Sequence, residues 1–182
     1  MTETGHAQRT RDVDLAPARP DDVAALAALG RDSFVAKFGH LYSAADLASF
    51  LATVHAPEAV AARIADPLRA YRLAWDGDDL LGYVQVGYAC TWPEFARRDR
   101  AMELKQLYTA PAATGRGIGS ILMGWALADL AGAGANEVQL SVWSGNTDAH
   151  RFYARHGFEH VGDTTFPVGE QIDEEFLFAK LL

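Results

Sequence analysis

The chain has 182 residues, of which 49% are apolar, so it is long enough for one domain and disorder is excluded for most of it. Its formal net charge of -8 argues against a nucleic-acid partner, because the phosphate backbone would be repelled. No apolar run approaches the roughly 20 residues that span a bilayer, and the single cysteine excludes an internal disulfide, so we expect a cytoplasmic protein without a membrane partner.

The first half of the chain is predicted to contain three helices and three strands. Asp21 or Asp22 is typical of a residue that caps a first helix, Ser43 caps a second, and Pro57 opens a short third one. The predicted strands of this half are Val13–Ala18, Tyr71–Trp75 and Leu80–Tyr88. The turn residues between the last two indicate a β-hairpin.

The second half alternates strands with two longer helices, Gly117–Ala133 and Asn146–His156. The predicted strands are Met102–Thr109, Glu137–Val142, His160–Phe166 and Ile172–Lys180. The buried side of the first helix is predicted to comprise Ile118, Ile121, Leu122, Trp125, Leu127 and Leu130. A hairpin-rich first half followed by strand–helix–strand units predicts an α/β (α+β) fold, with a mixed sheet and helices on both faces.

The most informative segment is a glycine-rich turn that leads from a strand directly into a helix. Gly115, Gly117 and Gly119 alternate there, and Arg116 adds a cation. Glycine permits positive φ and a close approach of the backbone to a ligand. Unpaired N–H groups at a helix start attract anions, so the turn predicts a phosphate site.

Two common phosphate sites do not fit this turn. A P-loop requires a lysine in the loop, and none occurs between Lys105 and Lys180. The dinucleotide fingerprint requires a third glycine, but Ser120 or Leu122 stands at that position. A nucleotide-binding function is therefore disfavoured.

Two blocks of sequence resemble the GNAT superfamily of N-acetyltransferases. The first is Thr114–Gly119 after a strand ending in Leu107-Tyr108-Thr109, and the second runs from Leu140–Asn146 through Phe152-Tyr153 to His156–Glu159. The resemblance covers about residues 70–180. It implies a mostly antiparallel sheet of about six to seven strands flanked by about four helices, with a splayed strand pair at the cofactor site. Residues 13–182 would form this single domain, after a flexible tail over residues 1–12.

The resemblance also implies acetyl-CoA as cosubstrate and assigns its binding residues. The end of the predicted strand Met102–Thr109 would contact the pantetheine arm and the acetyl carbonyl beside a β-bulge. The glycine turn would hold the pyrophosphate, and the predicted helix Asn146–His156 would approach the thioester. These residues are Leu107, Tyr108 and Thr109, then Thr114, Gly115, Arg116, Gly117, Ile118, Gly119 and Ser120, and finally Asn146 and Tyr153.

Acetyl transfer requires a proton for the thiolate that leaves, and Tyr153 is the candidate general acid. Its ordinary pKa of about 10 keeps it protonated at neutral pH. Glu103 is a candidate base, although a solvated or paired carboxylate at the strand's edge fits the sequence equally well. Asn146 begins a helix and is also typical of an N-cap. Scattered histidines and a lone Cys90 without a sequence partner predict no metal site.

The predicted reaction moves an acetyl group to a primary amine of a small molecule by direct attack in a ternary complex. Val142-Trp143, Gly162–Phe166, Gly169 and Asp173 resemble bacterial polyamine N-acetyltransferases, and the acidic charge agrees with such a substrate. A protein or peptide N-acetyltransferase and a non-catalytic acyl-CoA-binding module remain alternatives. The aromatic residues Phe38, Tyr42 and Trp92, with Pro93, are candidates for the acceptor pocket, and an exposed strand edge near the C-terminus suggests a homodimer.

Overall fold

The computed structural model describes residues 13–182, so the predicted tail lies outside the described residues. They form one seven-stranded sheet in the order β1-β2-β3-β4-β5-β7-β6. The strands are β1 (Asp14–Pro17), β2 (Arg69–Asp76), β3 (Asp79–Gly87), β4 (Ala101–Thr109), β5 (Glu137–Trp143), β6 (Glu159–Val168) and β7 (Gln171–Leu181). Every neighbouring pair is antiparallel except β4 and β5. The predicted mixed, mostly antiparallel sheet is confirmed.

Five α-helices lie within the described part of the chain, against the roughly four that the resemblance implies. They are α1 (Val23–Phe38), α2 (Ala44–Val54), α3 (Pro57–Ile64), α4 (Ile118–Gly132) and α5 (Thr147–Arg155). None of these helices has the length and apolarity that crossing a membrane requires. The predicted buried side of α4 needs one correction. Ile121 is 41% exposed, whereas Met123 and Ala126 are fully buried.

The helices cover both faces of the sheet, as predicted. Successive residues of a strand point to opposite faces. Leu73 of β2 therefore packs in one cluster with Leu26 of α1 and Val60 of α3, while the adjacent Ala74 packs in another with Leu122 of α4. Burial of these apolar side chains is the main force that holds the helices on the sheet.

The two predicted helix caps have different outcomes. The side chain of Asp22 does not cap α1. A short 3₁₀ helix over Pro20–Asp22 precedes α1, and the Asp22 carboxylate accepts a hydrogen bond from the Arg19 N–H at the start of that helix. Ser43 does cap α2, since its Oγ accepts from the Asp46 N–H at 3.1 Å. The start of α2 is therefore held by a local bond that the sequence predicts.

Replacing Ser43 with alanine is expected to lower the free energy of unfolding by about 1 kcal/mol, because one N–H at the helix start loses its acceptor. Chemical denaturation would measure this loss. The matched control is Ser49→Ala, because Ser49 lies within α2 and its side chain makes no hydrogen bond to the described residues. Equal effects of the two substitutions would contradict a capping role for Ser43.

The middle of β4 contains a β-bulge. Gln85 and Val86 of β3 pair with Gln106 and Leu104, so Lys105 is the extra residue. The sequence-based expectation placed this bulge near Leu107–Thr109, and the structure corrects it to an earlier position. The position of the bulge depends on how β4 pairs with β3, and the sequence of β4 alone does not determine that pairing.

Beyond the bulge β4 separates from β5. Their parallel ladder joins only Ala101–Glu103 to Glu137–Gln139. From Leu104 onward β4 pairs with β3 alone, and from Leu140 onward β5 pairs with β7 alone. The predicted splayed strand pair is thus present, and it opens a gap in the sheet.

Candidate active site

A cavity of about 990 Å³ occupies the gap between β4 and β5. This volume is at the upper end of the roughly 300–1,000 Å³ that is usual for ligand pockets. Of the residues predicted to bind the cofactor, all but one line it, namely Leu107, Tyr108, Thr109, Thr114, Gly115, Gly117, Ile118, Gly119, Ser120, Asn146 and Tyr153. Arg116 is the exception.

The glycine turn offers four amides to this cavity. The N–H groups of Gly115, Gly117, Ile118 and Gly119 have no acceptor within residues 13–182. Gly115 and Gly117 both have φ of +80°, and a Cβ atom at either would have no described atom within 4 Å apart from its chain neighbours. Unpaired amides at the start of a helix, with open space before them, fit a diphosphate.

The other amides of the turn are already used. The N–H groups of Thr114, Arg116 and Ser120 donate to the carbonyls of Pro111, Ala113 and Gly117. The expectation that the whole segment from Thr114 to Ser120 grips the pyrophosphate through its backbone is therefore too broad. The tight turn satisfies three of its amides internally and leaves the other four for a ligand.

The Arg116 side chain points away from the cavity. Its Nη2 donates to Asp76 Oδ2 at 3.1 Å, at the end of β2. The predicted contribution of this cation to the phosphate site is not supported by its position. Gly119 also differs from expectation, because its φ is not positive; it lies within α4, where the ring of Phe152 packs closely against it.

Tyr153 lies in α5 and brings a phenol group into the same cavity. It is only 8% exposed, and its hydroxyl has no hydrogen-bond partner among the described residues. Burial, with a further contribution from the negative charge of Glu175, raises the pKa of Tyr153 to about 12. Asn146 caps the same helix by accepting from the Ala149 N–H at 3.3 Å. A protonated phenol and a set of free amides thus share one cavity.

Comparison with known proteins identifies the arrangement. Residues 42–158 match the sequence profile of the acetyltransferase (GNAT) family. An uncharacterized N-acetyltransferase of Mycobacterium tuberculosis is 32% identical over 136 residues, which cover 75% of this chain and 82% of that protein. The chain belongs to the GNAT family. It is an acyl-CoA-dependent N-acyltransferase that uses acetyl-CoA.

Two further proteins are similar to this acetyltransferase. The aminoalkylphosphonate N-acetyltransferase of Salmonella typhimurium is 32% identical over 99 residues, covering 54% of this chain and 62% of that protein. The crystal structure of the PaiA N-acetyltransferase from Thermoplasma acidophilum in complex with coenzyme A has a TM-score of 0.77 at 20% identity. That match covers 94% of this chain and 99% of the other. At this identity the structural match shows the fold alone.

Glu103, the candidate base, does not line the acetyltransferase cavity. Its Oε2 accepts hydrogen bonds from the Thr91 hydroxyl at 2.6 Å and from Lys105 Nζ at 2.5 Å. The structure therefore corrects the role of Glu103 in favour of the alternative, a paired carboxylate. Lys105 lies two residues from Glu103 on β4, a spacing at which strand side chains share a face, so this pairing is local in sequence.

Two acidic residues of β7 line the cavity instead, and sequence reasoning did not assign them to the site. Asp173 accepts hydrogen bonds from the Tyr42 hydroxyl at 2.5 Å and from Gln171 Nε2 at 2.7 Å. Glu175 has an Oε2 atom that is buried and has no hydrogen-bond partner among residues 13–182. The available sequence signal was their spacing, since residues two apart on a strand share a face.

The aromatic predictions for the acceptor pocket are half right. Phe38 and Tyr42 line the cavity, whereas Trp92 and Pro93 do not. Cys90, which has no partner close in sequence, finds one in the fold. It is half-buried, and its thiol donates to Gln139 Oε1 at 3.0 Å. No group of three or more metal-ligating side chains within the described residues is arranged to hold a metal ion.

Proposed function

We propose that the enzyme transfers the acetyl group of acetyl-CoA to a primary amine of a small molecule, by direct attack within a ternary complex. The observation that carries this proposal is the continuous cavity in which the free amides of the glycine turn and the unbonded Tyr153 hydroxyl meet. The similarity to the Salmonella aminoalkylphosphonate N-acetyltransferase supports a small acceptor.

In this proposal the amides of Gly115, Gly117, Ile118 and Gly119 bind the pyrophosphate, and the backbone of Leu107–Thr109 lies along the pantetheine arm. A backbone N–H of that stretch of β4 stabilises the oxyanion that develops on the acetyl carbonyl. Tyr153 gives its proton to the departing sulfur. Its pKa of about 12 keeps the phenol protonated at neutral pH, and the proton that it gives to sulfur is replaced by one from the acylated nitrogen.

The test is a panel of acceptors mixed with acetyl-CoA, with release of free CoA measured by a thiol reagent. The panel contains aliphatic diamines and polyamines, aminoalkylphosphonates, amino acids and N-terminal peptides. We expect turnover with a small primary amine and a thermal shift with acetyl-CoA alone. Turnover with peptides only would contradict the small-molecule proposal. A thermal shift without any turnover would favour a non-catalytic acyl-CoA-binding module. The homodimer and the cytoplasmic location remain predictions.

A further inference from the structure

The acidic pair on β7 presents an unfulfilled hydrogen-bonding group to the cavity. Glu175 Oε2 is buried and accepts no hydrogen bond within residues 13–182. A buried carboxylate oxygen without a donor is costly, by roughly 1–3 kcal/mol or more for a charged group. Because Glu175 lines the ligand cavity, a ligand can provide the missing hydrogen-bond donor.

The neighbouring Asp173 has no free oxygen with which to bind a ligand in place of Glu175. Both of its oxygens are engaged, by Tyr42 and by Gln171, and these bonds fix its carboxylate. In the part of the chain that the structure describes, no lysine, arginine or histidine forms an ion pair with Asp173 or Glu175. The basic residues Lys37, Arg63, Arg69, Lys105 and Arg155 also line the cavity, but none of them forms an ion pair with Asp173 or Glu175. The two carboxylates therefore remain able to attract a cationic ligand.

We propose that Glu175 binds the ammonium group of the acceptor and takes its first proton, with Asp173 as a fixed neighbouring acceptor of positive charge. This inference rests on the proposed function and adds the residue that recognises and activates the amine. A compact donor with several N–H groups, such as a primary ammonium, matches a buried carboxylate oxygen that has no donor among residues 13–182.

The proton balance of the step is simple. One proton of the acceptor R–NH₃⁺ passes to Glu175 Oε2, which leaves R–NH₂ with a free electron pair. That pair forms the new C–N bond with the acetyl carbon, and the C–S bond breaks with its electrons on sulfur. Tyr153 protonates the sulfur and regains a proton from the acylated nitrogen. Glu175 then releases its proton to solvent, so that one H⁺ leaves for each amide formed.

The electrostatics of the surroundings agree with this role. Burial raises the pKa of the Glu175 carboxyl, and the nearby Asp173 raises it further, while the Ser141 hydroxyl opposes the shift. The other titratable groups that couple to Glu175 are the phenols of Tyr42, Tyr108 and Tyr153, all with raised pKa values and therefore neutral at pH 7. A carboxylate with a raised pKa is a stronger base than an exposed one.

The experiment compares Glu175→Gln with the matched control Glu174→Gln. Glu174 is the adjacent residue of β7, is exposed and does not line the main cavity. With a primary diamine such as 1,4-diaminobutane and any acceptor found active, we expect E175Q to lower kcat/KM for the amine by roughly 10- to 100-fold. The Kd for acetyl-CoA should stay within about twofold. In wild type, kcat/KM should rise with pH through the Glu175 pKa, and E175Q should lose that limb of the profile.

Several outcomes separate the possible failures. Amine kinetics of E175Q equal to those of wild type and E174Q would overturn the inference. A second variant, Glu175→Asp, keeps the carboxylate and should restore part of the pH limb, which a purely structural role would not do. If wild type acetylates no amine, the proposed function fails. Calorimetric titration of wild type and E175Q with the same diamine then still tests whether Glu175 binds the ammonium group. Weaker binding to E175Q would support this role, and equal or absent binding would refute it.

Discussion

Replacing Tyr153 with phenylalanine is expected to lower kcat by roughly 100- to 10,000-fold, which is the usual contribution of a positioned general acid. The substitution removes only the hydroxyl, and the ring keeps its packing against Phe152 and Phe158. Because that hydroxyl has no partner among the described residues, no protein hydrogen bond is broken. The Kd for acetyl-CoA, measured by calorimetry, should therefore remain within about twofold while CoA release almost stops.

The matched control for this experiment is Tyr88→Phe. Tyr88 donates a hydrogen bond to Asp129 at 2.9 Å and does not line the cavity. This control should lose about 1 kcal/mol of stability and no activity. Similar activity in Tyr153→Phe and wild type would show that the thiolate leaves without a proton from Tyr153. Equal losses of activity in both variants would point to a general effect on the fold.

Local features of the fold were predictable because short segments determine them. The hairpin between β2 and β3 turns at Gly77, with φ of +62°, a conformation that glycine adopts without strain. Ser43 caps α2 through a bond to a residue only three positions away. The glycine turn before α4 likewise lies within one short stretch, so its phosphate-binding character could be seen in the sequence alone.

Features that depend on distant contacts were not predictable in this way. Arg116 is adjacent to the free amides in sequence, yet it pairs with Asp76 at the distant end of β2. Glu103 accepts a hydrogen bond from the Thr91 hydroxyl, which lies 12 residues earlier, in the connection between β3 and β4. Glu175 lies in a charged stretch that resembles a solvent-facing edge strand. In the folded chain that face of β7 lines the cavity beside the splayed strands β4 and β5.

Substituting Gly117 with alanine is expected to weaken acetyl-CoA binding by roughly 10- to 100-fold, as loss of one hydrogen bond to a charged group would do. Gly117 has φ of +80° immediately before α4, where an L-residue is strained by about 1–2 kcal/mol. Relief of that strain would turn the Gly117 amide, and with it those of Ile118 and Gly119, away from the ligand. Calorimetric titration with CoA measures the affinity directly.

Gly77→Ala is the control that separates strain from binding. Gly77 also has a positive φ, of +62°, also has open space around it, and does not line the cavity. Both substitutions should therefore lower stability by a similar amount in chemical denaturation, whereas only Gly117→Ala should weaken CoA binding. Unchanged CoA affinity in Gly117→Ala would mean that the amides of this turn do not hold the pyrophosphate. Equal losses of affinity in the two variants would mean that general destabilisation, and not the geometry of the turn, governs binding.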